Sequence, residues 1–377
     1  MNSKITFFNL GNADTTLIRL GSGKNILWDY ANMQGEKHCD LPKELNRRVP
    51  KKYFDAVCFT HGDEDHVKGM SEYFYLEHAK AYQSDDRKKI TDLWVPAALF
   101  LESSNEYCDD AKVLKAEAKH RFLIMKKGIK VFSKPDELKK WIESEGVKFS
   151  EVEHLIVDAG KLVPGWNKNS DGIEFFVHSP FKGHVDDTEV IDRNNAAIIV
   201  QAVFGNKVET KLMLGSDADS ENLKFIVKIT KRNGNPSRLL WDIFHLCHHC
   251  SYKAINKDEK GKTKTTPIEE VKWLMETQGQ QNCFMISPSE IIPSSDTDQP
   301  PHKQGYNYYK ADVADKKNGA VKVTMEHPTK DKPEPMEFII DDSGVQGDNG
   351  LTDGEKLAGA AILTKTSSVS GNWCPLK

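Results

Sequence analysis

The stretch that most constrains this chain is residues 56–69, Ala-Val-Cys-Phe-Thr-His-Gly-Asp-Glu-Asp-His-Val-Lys-Gly. A short apolar, β-prone run over residues 56–60 predicts a buried strand. It empties into a tight loop carrying His61, Asp63, Asp65 and His66, with a helix expected over residues 67–82. A metal site needs convergent side chains held by a rigid element, and a strand end feeding a loop supplies that. At this spacing His61 and Asp63 can face one cation, while Asp65 and His66 reach a second. The plain alternative is an acidic surface loop that happens to contain two histidines. Acidic loops are common, but this density of ligands directly after a buried strand is not.

The loop resembles the signature of the metallo-β-lactamase superfamily, His-x-His-x-Asp-His after a strand, with Asp63 in place of the second histidine. That variant is similar to the nuclease-like domain of ComEC-type DNA-uptake proteins. The resemblance implies an α/β fold, an αββα metallo-β-lactamase sandwich. It also implies two divalent metal ions and a metal-dependent hydrolase.

Other stretches can be placed on that pattern. Residues 5–10, 15–20 and 25–30 predict three short strands joined by turns, and Asp29 closes the third. In the superfamily an aspartate at this point orients the metal-binding loop. Asp14 matches the aspartate of the family's first glycine turn. Asp217 follows a strand and a glycine turn, where the resemblance implies a carboxylate shared by both metals. Asp219 is the alternative, better suited to capping a helix. Residues 243–253, with His245, His248, His249 and Cys250, resemble the family's strand followed by His-His-Gly-Ser. His248 is the preferred ligand of the second metal, His249 a substrate-contacting or supporting group, and His245 a packed core histidine. His302 is a candidate for meeting the leaving group or phosphate. His178, at a strand end, is an uncertain third histidine of the first metal, and Asn195 (with Asn194) an uncertain lining residue.

The expected assignment is therefore His61, Asp63 and Asp217 on one metal, and Asp65, His66, His248 and the shared Asp217 on the other. Asp65, His249 and His302 carry the catalytic roles. Two such ions can activate a bridging water and stabilise charge developing on the substrate. An aspartate at position 63 hardens the first site, favouring Mn or Mg beside the superfamily's Zn.

Composition narrows the class. The chain has 377 residues, 29% charged and 38% hydrophobic, which is enough apolar material for a sizeable core. The formal net charge of −4 lacks the basic signature of a passive nucleic-acid binder, so an anionic substrate falls to the metals and local lysines. No run of about eighteen apolar residues occurs. The 7 cysteines are scattered without a Cys-x-x-Cys, as in a reducing compartment. These features predict a soluble, cytoplasmic protein without membrane contact.

Residues 1–341 read as one hydrolase domain with a helical insert at about residues 100–150, and residues 342–377 as a Gly/Ser/Asp/Thr-rich tail. A hairpin is expected from residues 321–326 and 336–341. The leading function is a dinuclear phosphodiesterase or nuclease acting on a phosphodiester, DNA or a nucleotide among them. One alternative is a zinc hydrolase of a thioester, lactone or amide. Another is a partner-regulated component of a bacterial multi-gene system, antiviral defence included, with a protein partner and little activity alone.

Overall fold

The structure is a computed structural model that describes residues 2–102, 107–133, 135–181 and 196–347. It is a mixed α/β protein with two sheets. The strands are β1 (Ser3–Phe7), β2 (Thr16–Arg19), β3 (Asn25–Trp28), β4 (Tyr53–Cys58), β5 (Phe74–Tyr75), β6 (Lys88–Pro96), β7 (Ile129–Phe132) and β8 (Ile156–Val157). They continue with β9 (Ile173–Ser179), β10 (Ile199–Phe204), β11 (Thr210–Leu214), β12 (Trp241–His245), β13 (Gly279–Ser287), β14 (Ala320–Val323), β15 (Met336–Asp341) and β16 (Gly344–Gln346).

The first sheet runs β16-β15-β1-β2-β3-β4-β6-β7-β8, with β5 beside β6; the second runs β14-β13-β12-β11-β10-β9. Each sheet has an antiparallel part and a parallel part. In the first, the pairs from β3 through β4, β6, β7 and β8 are parallel. In the second, β11, β12, β13 and β14 are parallel neighbours.

Side chains alternate across a strand, and here both faces are covered. Leu27, Val57, Leu93 and Val131 join one apolar cluster with the helices outside the first sheet. Their neighbours Ile26, Trp28, Ala56, Cys58, Trp94 and Phe132 join a second cluster, which also takes Phe175, Val200, Leu212, Leu214 and Ile243 from the other sheet. Met213 and Phe244 belong to a third, with Leu223, Ile226 and Val227 of the helix Ser220–Arg232. Strands covered on both faces are apolar throughout, which explains the continuous runs in the sequence.

Several sequence expectations are corrected. Residues 67–82 do not form one helix. Gly69, at φ +79°, separates the short helices Glu64–Val67 and Met70–Tyr73, and the chain then adds β5 to the sheet. Residues 100–150 do contain helices, Asp109–Lys119 and Asp136–Ser144, but between them β7 pairs in parallel with β6. That segment therefore extends the first sheet. The expected final hairpin is split: β14 pairs with β13 in one sheet and β15 with β1 in the other. The stretch assigned to the tail opens with β16, paired to β15; residues 348–377 lie outside the described residues.

Among the described residues no helix is long and apolar enough to cross a membrane.

Candidate metal centre

Four strand ends converge. β3 ends at Asp29, β4 at the loop from Thr60 to His66, β11 at Ser216-Asp217, and β12 at the segment from Leu246 to His249. All four belong to the parallel parts of their sheets. The carboxyl ends of parallel strands are where α/β folds place ligands.

Asp29 organises the first-sheet side. It is fully buried and accepts from Thr60 N–H at 2.7 Å, from the Thr60 hydroxyl at 2.8 Å, and from Nδ1 of His66 at 2.9 Å. With its proton committed to Asp29, the Thr60 hydroxyl receives the Ser216 hydroxyl at 2.9 Å and Nδ1 of His61 at 3.1 Å. The hydrogen-bond network thus assigns the Nδ1–H tautomer to both histidines. Their Nε2 lone pairs are left pointing into the centre. Both Nε2 atoms are buried without a hydrogen-bond partner, as is Oδ1 of Asp217.

The second-sheet side meets them there. Asp217 Oδ1 lies 3.4 Å from His66 Nε2. His249 donates Nδ1–H to the carbonyl of Pro288 at 2.8 Å, which turns its Nε2 to within 3.0 Å of Asp65 Oδ2. In each case a nitrogen lone pair faces a carboxylate oxygen. Two acceptors at this range repel unless a cation or a proton lies between them. Asp65, His66, Asp217 and His249 bring ligand atoms all within 4.8 Å of one another, three of the four residues being buried. These are donors of the type a divalent cation takes.

The same crowding sets the protonation of these groups. Burial disfavours the charged imidazole of His66, but Asp29, Asp217 and Asp65 outweigh it and raise its pKa well above the ordinary value. Burial likewise opposes the charge on His249, yet Asp65, Asp217 and Asp14 push it up to about 9. Burial favours neutral carboxyls at Asp217 and Asp65. Both nonetheless titrate below the usual range, Asp217 through its neighbouring histidines and Asp65 through His66 and His249 against the opposing charge of Asp217.

The remaining candidates are placed as follows. His61 is buried, with Nε2 3.6 Å from Asp63 Oδ2, so this pair stands beside the four-residue group. His248 is not in that group. Its side chain is 27% exposed, with Nδ1 3.9 Å from Asp217 Oδ2, and the inward position preferred for it is held by His249. The cause is backbone conformation: His248, His249 and Cys250 all have positive φ (48°, 52° and 64°), so the chain turns sharply there. Such left-handed residues are costly outside glycine and persist where the surroundings fix them. Asp219 caps the helix Ser220–Arg232 by accepting from Asn222 N–H at 2.9 Å, as its position suggested.

His302 is turned to backbone groups, Tyr252 N–H and the Asp298 carbonyl, each at 3.4 Å, and burial lowers its pKa. His178 is directed away from the centre: Nε2 donates to the Arg238 carbonyl at 2.9 Å and Nδ1 lies 3.3 Å from the Thr230 hydroxyl. Asn195 and Asn194 lie outside the described residues.

His245 is buried, as its reading as a packed histidine expects, and it meets Asp14 beside the four-residue group, Asp14 Oδ1 being 3.2 Å from its Nε2; sequence reasoning did not bring these two together. The alignment of Asp14 with the family's glycine turn was the one available signal.

No family model and no curated protein matches the chain. Among solved structures, a diphosphatase from the PhnP family aligns over 90% of this chain and 98% of its own, at 11% identity and a TM-score of 0.35. CmlA, a diiron β-hydroxylase from Streptomyces venezuelae, aligns over 85% of this chain and 52% of its own (11% identity, TM-score 0.37). An isothiocyanate hydrolase from Delia radicum gut bacteria aligns over 76% and 85% (12% identity, TM-score 0.31). At these scores the likeness carries no argument about chemistry.

Proposed function

We propose that this chain is a metal-dependent hydrolase of the metallo-β-lactamase type, with an αββα sandwich and a dinuclear centre, acting on a phosphodiester. The observation that carries the reading is the convergence, at four strand ends from two sheets, of histidine lone pairs on carboxylate oxygens, with His61 Nε2, His66 Nε2 and Asp217 Oδ1 buried and unpartnered. A centre built that way fits divalent cations. In this reading His61 and Asp63 hold one, Asp65, His66 and His249 hold the other, and Asp217 stands between.

Bound divalent ions would supply an activated water and polarise a phosphoryl oxygen. The chain's own residues do the rest. Asp29 and Thr60 fix the tautomers of His61 and His66, and the Pro288 carbonyl fixes that of His249. His248, at the rim, is the imidazole placed to steady the phosphate or pass a proton to the leaving oxygen. The carboxylate-rich set favours Mn²⁺ or Mg²⁺, with Zn²⁺ as the alternative.

The test is hydrolysis of bis-p-nitrophenyl phosphate by metal-stripped protein resupplied with Mn²⁺, Mg²⁺ or Zn²⁺, beside an Asp65→Ala variant. Activity with one metal that the variant loses supports the reading and opens DNA and nucleotides as the next substrates. Metal binding without activity moves the proposal to acyl substrates or to a partner-dependent role. No metal binding overturns it.

A further inference from the structure

Asp14 has no role in the ligand set proposed so far, yet its surroundings resemble those of the ligands. It sits on the turn between β1 and β2, and its backbone N–H donates to the Asp65 carbonyl at 3.0 Å, tying this turn to the metal loop. Its side chain is only 3% exposed. The carboxylate's polar neighbours at the centre are histidines: His245 Nε2 lies 3.2 Å from Oδ1, and His66 Nε2 lies 3.8 Å from Oδ2. Close as His245 comes, Oδ1 is among the buried atoms without a hydrogen-bond partner, as is Nδ1 of His245. His245 is itself buried and stacked on Phe7, with ring centroids 6.0 Å apart.

A buried carboxylate must be matched by positive charge. A second proton on His66 can supply it when no metal is present; in the neutral form that binds a cation, the ring's Nδ1 proton is given to Asp29 and its Nε2 lone pair faces Asp14 on one side and Asp217 on the other. The three acceptors enclose a place for a cation. We propose that Asp14 is a further metal-holding carboxylate on the His66 side of the centre, with His245 as its positioning residue, which makes that site selective for hard, oxygen-preferring cations over zinc. This rests on the metal-centre reading above and adds two residues to it.

The experiment is calorimetric titration of the metal-stripped full chain with Mn²⁺ and with Zn²⁺, for wild type, Asp14→Asn and Asp217→Asn. The absorption spectrum of the Co²⁺-loaded proteins reports coordination independently of turnover. Asn keeps the shape of Asp14 and removes its charge. The expected result is a loss of about 10- to 100-fold in Mn²⁺ affinity for Asp14→Asn, with Zn²⁺ affinity changed about threefold or less. The Co²⁺ spectrum should also change, as exchanging an anionic carboxylate ligand for a neutral amide requires. Should Asp14→Asn fail to fold, His245→Gln takes its place, with an expected loss of about tenfold for Mn²⁺. If wild type binds metal, Asp217→Asn does not, and Asp14→Asn matches wild type in affinity and spectrum, this inference fails while the centre stands. If wild type binds neither metal, the underlying reading fails with it.

Discussion

Replacing Asp29 by Asn isolates the tautomer control that the centre depends on. Asp29 has φ +55°, in the left-handed region where Asn is as well tolerated as Asp, so the backbone is undisturbed. The carboxylate receives Thr60 N–H, the Thr60 hydroxyl and His66 Nδ1–H at 2.7, 2.8 and 2.9 Å. An amide can accept on one side only. If its oxygen stays on Thr60 N–H, its NH₂ faces His66 Nδ1, and the imidazole proton must move to Nε2. That N–H then points at Asp217 Oδ1, 3.4 Å away, where a cation needs a lone pair. If the amide turns over, its NH₂ opposes Thr60 N–H, and an unmet buried donor costs about 1–3 kcal/mol. Either arrangement weakens metal binding. Partners of this kind are worth about 10- to 100-fold in affinity, or about 1.4 to 2.8 kcal/mol. The assay is titration of metal-stripped wild type and Asp29→Asn with Mn²⁺, with urea unfolding as the control for fold. A folded variant that binds Mn²⁺ within about twofold of wild type refutes the reasoning.

Three further outcomes are expected. Saturating Mn²⁺ should raise the Tm of wild type, by the equivalent of about 2.7 kcal/mol at one hundred times Kd, and leave that of Asp217→Asn unmoved in differential scanning fluorimetry. His178 is held neutral by burial, with its pKa lowered from 6.5 to about 4. Its contribution is therefore complete above pH 6.5 and is lost as pH falls from there to about 4, because the unfolded chain takes up the proton first. The loss amounts to about 3 kcal/mol, and denaturant melts of His178→Gln against pH should show a correspondingly flatter acid limb than wild type. Glu117→Ala should destabilise the fold by about 3–5 kcal/mol in the same melts, because it strands a buried arginine: Glu117 bonds Arg121 at 2.6 Å and His78 at 3.0 Å.

What the sequence made legible was local. The candidates His61, Asp63, Asp65 and His66 lie on one loop after one strand, so their spacing brought them forward, while Asp217 came forward through the family resemblance. The choice between His248 and His249 was not legible, because it depends on consecutive left-handed residues that no propensity favours at His-His-Cys. Asp14 and His245 are separated by most of the chain, and nothing local to either indicates their meeting. The strand pairing failed for a similar reason. β14 and β15 are neighbouring apolar runs that look like a hairpin, but strands covered on both faces carry no mark of which sheet they join.

The origin of the candidate ligands in two sheets has a consequence for how the molecule is put together. His61 to His66 belong to one layer and Asp217 and His249 to the other, with the strands from β5 to β11 intervening along the chain. Neither layer alone offers a cation more than half a cage, so tight capture must wait until both have formed and docked. On the proposed reading, a cation held there would act as a rivet between them: it would hold together what the apolar interior has already brought into register, and its affinity would report whether that docking is complete.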